Sequence, residues 1–100
     1  MTDFLIPNTD KRVQYGVVPA KHFEPSGKEG DWQTWVVDFK PNFKDTPIVF
    51  VSLYSTAGDV PAVVGQAQHV NADKFTLTGR NSDPSSNNAG FAWLAIGKTL

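Results

Sequence analysis

Apolar residues along this chain recur in short runs at a period of two, and the three-to-four spacing of an amphipathic helix is nowhere sustained. Six runs rich in β-branched and aromatic residues stand between clusters of Gly, Pro, Asn and Asp, and each predicts a strand. They are KRVQYGVV (Lys11 to Val18), WQTWVVDF (Trp32 to Phe39), IVFVSLYS (Ile48 to Ser55), AVVGQAQHV (Ala62 to Val70), KFTLTGR (Lys74 to Arg80) and GFAWLAIGK (Gly90 to Lys98). The second and third are expected to be well buried, with Trp35, Val37 and Phe39 alternating into the core. In the fifth, Phe75 and Leu77 point inward while Lys74, Thr76 and Thr78 point outward.

Six antiparallel strands in a chain of this length fit an all-β fold, two packed sheets of three whose inner faces share one core. The sandwich domain is expected over residues 11–100, after an N-terminal extension over residues 1–10. The last strand is apolar on both faces: Phe91, Trp93 and Ala95 on one, Ala92, Leu94 and Ile96 on the other. One face can line the chain's own core, and the other needs a cover. A second copy of the chain would supply it, with Phe91, Trp93, Leu94 and Ile96 as interface candidates. The local alternative is that Phe4, Leu5 and Ile6 fold back over it.

One hundred residues are one domain's worth of chain, close to the size at which a single core suffices, so association would add welcome stability. A net charge of -1 with 19% charged residues leaves no basic footprint for nucleic acid and no polybasic patch for a membrane surface. The absence of cysteine removes disulfides and thiolate metal sites. The start, MTDFLIPNTDKRV, has too short an apolar run for a signal peptide, and no stretch approaches a membrane span. A role outside the cell would therefore need lysis, a signal-independent route or incorporation in a larger particle such as a virion; otherwise the chain is expected to be cytoplasmic.

Catalytic chemistry finds little to work with. His22 and His69 are the ordinary candidates for a general base, and neither lies in a recognisable motif or at the close ligand spacing of a zinc site. Phosphate-binding glycine loops are also missing. The expectation is a protein that is not an enzyme and holds no cofactor or metal. What remains is a set of polar side chains on loops and strand ends: Asp31, Gln66, Gln68, His69, Arg80, Asn81, Asp83, Asn87 and Asn88. Their amides, carboxylates and guanidinium supply what sugar hydroxyls need, although Asn, Asp, Ser and Gly also belong in any loop for conformational reasons. Arg80 can grip two sugar oxygens or the carboxylate of an acidic sugar, or be a plain surface arginine. Trp32, at a loop edge, is either an apolar platform for a sugar ring or a cap on the end of the sandwich.

RVQYGVV near the start, WVVDFKPNFKDTPIVFVSLYS in the middle and DKFTLTGRNS with GFAWLAIGK at the end resemble the H-type lectin domain, from about Arg12 to Lys98. The shared features are an opening R-V-Q-x-G strand, an aromatic-x3-aromatic-x3-Pro middle and a W-x-A/S-I-x finish. The same middle and ending also resemble terminal domains of phage tail fibres. The resemblance implies a six-stranded antiparallel sandwich assembled as a homotrimer, with sugar sites in grooves between protomers. Arg80, Asn81 and Asp83 would form one wall, and Gln66, Gln68 and Asp31 the other.

Departures bear on specificity. Family members that prefer N-acetylgalactosamine have a Trp-His pair just after the fifth strand, where this chain has Arg80, Asn81, Ser82 and Asp83. Their strand-four arginine corresponds by spacing to Gln66, their cysteine pair is missing, and their early Gly/Asp contact could correspond to Gly30 or Asp31. Two functions follow as expectations. One is a carbohydrate-binding module, either a free lectin or a receptor-binding fibre tip that recognises cell-surface glycans. The other is a purely structural trimeric virion component without a specific sugar site.

Overall fold

The computed structural model describes residues 2–19, 32–55, 63–81 and 89–100. Within them seven strands form: β1 (Thr2–Leu5), β2 (Lys11–Pro19), β3 (Trp32–Asp38), β4 (Ile48–Ser55), β5 (Val63–Gln68), β6 (Lys74–Asn81) and β7 (Ala89–Lys98). They pair antiparallel into a four-stranded sheet, ordered β1-β2-β7-β4, and a three-stranded sheet, ordered β3-β6-β5. The all-β, two-sheet architecture agrees with the sequence pattern. The expected six strands in two sheets of three do not, because residues 2–5, read as part of an extension, add a strand at the β2 edge.

A hairpin turn makes that addition. The Ile6 amide donates to the Lys11 carbonyl at 2.9 Å, the Thr9 hydroxyl donates to the Ile6 carbonyl at 2.8 Å, and Asn8 takes the left-handed conformation (φ 62°) that asparagine tolerates. Across the pair, Arg12 Nε lies 3.1 Å from Asp3 Oδ1.

The core lies between the sheets. Phe91, Trp93 and Ala95 of β7 and Val18 of β2 meet Phe75 and Leu77 of β6 and Val37 of β3. Phe75 packs edge-on against Trp93 with ring centroids 5.3 Å apart. Gly65 of β5 sits directly under Phe91, where an added Cβ would come within 2.6 Å of the ring. The segment after β3 closes one end, with Phe39 and Phe43 in edge-to-face contact at 4.9 Å and both buried. Gln14, fully buried on β2, ties this segment down: its Nε2 donates to the Pro41 carbonyl at 2.7 Å and its Oε1 accepts from the Lys40 amide at 3.1 Å.

The alternation of β7 resolves in one sense. Phe91 and Trp93 belong to the protomer's own core, so as interface candidates they are corrected, and Ala92, Leu94 and Ile96 take the outer face. Cross-strand pairing sets Tyr15 and Phe50 on either side of Leu94, Val13 and Ile48 on either side of Ile96, and Val17 beside Ala92. Phe4 joins this face from β1, edge-on to Tyr15, and is itself exposed. The N-terminal residues thus widen the apolar face instead of folding back over it.

Two burial expectations fail for one reason. Among the described residues β3 and β4 are edge strands, each with a neighbour on one side only. Trp35 points to the inner side but is 41% exposed at the open margin between the sheets, while Ile48 and Phe50 of β4 are 65% and 59% exposed on the outer face.

Candidate functional site

The outer face of the three-stranded sheet gathers the polar side chains expected to bind a ligand. On β6, Phe75, Leu77 and Gly79 are buried, so Thr76, Thr78 and Arg80 project outward. Register then sets their neighbours: Trp32 opposite Arg80 and Thr34 opposite Thr78 on β3, Gln66 opposite Thr78 and Gln68 opposite Thr76 on β5. Directly opposed side chains have Cβ atoms about 4.5–5.5 Å apart. Residues fourteen and forty-eight positions apart along the chain, Gln66, Arg80 and Trp32, therefore share one surface.

Trp32, Gln66, Gln68 and Thr78 line a depression of about 320 Å³, with Arg80 beside Trp32 at its edge. That volume is at the lower end of the range for small-molecule sites. Trp32 is 57% exposed, enough to present a ring face. The Thr78 hydroxyl donates to Gln68 Oε1 at 2.7 Å, which orients that amide on this face. The chemistry offered is therefore an apolar plate, side-chain amides, hydroxyls and a guanidinium. Such a set hydrogen-bonds a polyol ring without any bond being made or broken.

Of the residues expected from sequence, Gln66, Gln68 and Arg80 come together here. They lie on adjacent strands of one protomer's sheet. The side chain of Asn81, and Asp31, Asp83, Asn87, Asn88 and His22, lie outside the described residues. His69 follows β5 in the turn to β6, exposed and left-handed (φ 50°). The turn is closed by Asn71 Oδ1, which accepts from the amides of Asp73 and Lys74 at 2.8 and 3.0 Å. Among the described residues no three His, Asp or Glu side chains cluster as metal ligands. From sequence Thr78 reads as an ordinary outward residue of a strand; its offset of two from Arg80, on the same face, is the signal that links it to the site.

The family motifs occupy different ground. Phe39, Phe43, Trp93 and Ala95 are core, Pro47 is buried against Gly97, and Gln14 and Gly16 support the core from β2. These residues hold the sandwich together from between its sheets.

None of the curated proteins compared with the chain matches it significantly. The family model described as the H-type lectin domain matches residues 34–96, from within β3 to within β7, and includes Gln66, Gln68, Thr78 and Arg80. That match spans well over half of the chain, and with the two-sheet fold and the buried motif residues it places this protein in the H-type lectin domain family.

Proposed function

We propose that this protein is a non-catalytic carbohydrate-binding module that recognises cell-surface glycans on the outer face of β3-β6-β5 and presents several copies of that face by self-association, as a free lectin or as the tip of a fibre. The observation that carries the reading is the convergence of Trp32, Gln66, Gln68 and Thr78 around one depression, with Arg80 set opposite Trp32, in an H-type lectin domain. The aromatic missing after the fifth predicted strand has a substitute in Trp32, which the register sets beside Arg80.

Association rests on the opposite side of the sandwich. There Tyr15, Val17, Phe50, Ala92 and Leu94 border a hollow of about 510 Å³ in a continuous apolar surface, which a further copy of the same chain would bury. The homotrimer implied by the family is the assembly we propose. The extent of this apolar face also supports a second reading, a purely structural trimeric component of a virion.

A glycan array separates the two. Trp32→Ala should abolish binding with the assembly unchanged, whereas an unmodified protein that binds no glycan on the array would favour the structural component.

A further inference from the structure

We infer that the β3-β6-β5 face selects acidic sugars, with Arg80 as the group that reads the carboxylate or sulfate and Trp32 as the plate beneath the ring. The inference rests on the carbohydrate-binding reading above and specifies the class of ligand.

The charge of Arg80 and its neighbours on this face carry it. Neutral sugars offer hydroxyl groups that both donate and accept, which the amides and hydroxyls of Gln66, Gln68 and Thr78 can meet; an acidic sugar adds a charge that only a cation meets. Here the Gln68 oxygen accepts from the Thr78 hydroxyl, which uses one of its two acceptor positions and holds the amide on this face. Arg80 brings further donors and no acceptor. It forms no ion pair among the described residues, and register gives it Trp32 on one side and Val64 on the other, so neither directly opposed position carries a carboxylate. Among the described residues, the acidic residue that the register brings to this face is Asp38, set opposite Lys74 at the far end of β3. Six residues of strand separate the Trp32 and Asp38 positions, roughly 20 Å at the rise of a β-strand and about twice the screening length at physiological salt. Among the described residues, the Arg80 guanidinium therefore has no carboxylate beside it.

Geometry matches the same ligand class. A pyranose ring is an apolar disc edged with oxygens, and a uronic acid carries its carboxylate on the ring's edge. With its ring laid on Trp32, a sugar would place that edge within reach of the cross-strand neighbour, where the planar guanidinium can take both carboxylate oxygens. Gln66 and Gln68 then face the remaining ring oxygens.

The test uses the full chain, with its assembly verified by light scattering, and an immobilised glucuronate-terminated glycan beside its methyl ester. The two probes differ in charge and share a ring. The acid should bind about tenfold more tightly than the ester at low salt, and the preference should shrink as salt is raised. Arg80→Gln should bring the ratio to about one and retain the weaker binding of the ester, while Trp32→Ala should remove both. Equal binding of acid and ester by the unmodified protein, or a preference that survives Arg80→Gln, would overturn the inference and leave a lectin for neutral sugars. Failure to bind any glycan of a broad array would instead overturn the carbohydrate-binding reading beneath it.

Discussion

Phe50→Glu is the sharpest test of the apolar face. Phe50 stands on edge strand β4 with 59% of its surface exposed and takes no part in the core, so its replacement leaves the protomer's packing intact. Leu94, its cross-strand neighbour, is half-buried within the protomer, and a charge there would disturb fold and association together. Fully burying a phenylalanine contributes about 1.5–3 kcal/mol, so covering the exposed part of Phe50 accounts for about 1–2 kcal/mol per copy. Glutamate forfeits that and adds the cost of an unpaired buried carboxylate, several kcal/mol more. At about 1.4 kcal/mol per tenfold, association should weaken by at least two orders of magnitude for each interface. Light scattering at micromolar concentration should give three times the 11.0 kDa chain mass for the unmodified protein and the single mass for the variant. The melting temperature of the variant should become independent of concentration, as expected for a folded monomer. A single-chain mass for the unmodified protein, or a trimer that tolerates the glutamate, would refute the reasoning.

Two further substitutions probe the frame that holds the faces apart. Gln14→Leu preserves volume but strips the Lys40 amide and the Pro41 carbonyl of their partner, at a cost of about 1–3 kcal/mol; urea unfolding should show a lower midpoint at an unchanged slope, and an unaltered midpoint would mean that water replaces the side chain. Gly65→Ala sets a methyl 2.6 Å from the Phe91 ring, so β5 must move away from β7; a loss of about 1–3 kcal/mol is expected in calorimetry, and Gly65→Ala with Phe91→Leu should recover part of it if that contact is the cause.

What the sequence made legible follows from range. The bounds of β4 could be read directly, because Pro47 stops the chain before Ile48 and the apolar run ends at Ser55. β1 was missed because TDFL is four residues long with an aspartate inside it, although the Pro-Asn-Thr-Asp cluster between Ile6 and Lys11 was a hairpin signal in plain view. The edge positions of β3 and β4 were invisible, since hydrophobicity says how apolar a strand is and not how many neighbours it has. Phe50 and Val36 look like core residues until the strand order places them on outer faces.

The site was partly legible for a similar reason. That Gln66 and Gln68 share a face follows from their spacing of two, which any strand guarantees. That Arg80 joins them depends on the β5-β6 register, and Trp32 is added by the β3-β6 register across nearly fifty residues of chain. Two of these three relations are long-range, and no local pattern encodes them.

The arrangement also explains why the family was easier to read than its ligand. Motif residues such as Phe39, Phe43 and Trp93 fill the space between the sheets, where any change in volume is felt on both sides, so they mark the fold. The outer faces escape that constraint, and in this chain they have diverged from each other. One, on β1-β2-β7-β4, presents Phe4, Tyr15, Phe50 and Leu94; the other, on β3-β6-β5, presents Trp32, Gln66, Thr78 and Arg80. The two sheets share no strand and meet through the core, so burying the apolar face against other copies leaves the polar face open. A shallow site gripping a sugar through amides and one guanidinium is weak alone. Assembly through the opposite face would raise its avidity by presenting several such sites together, without another contact to the sugar itself.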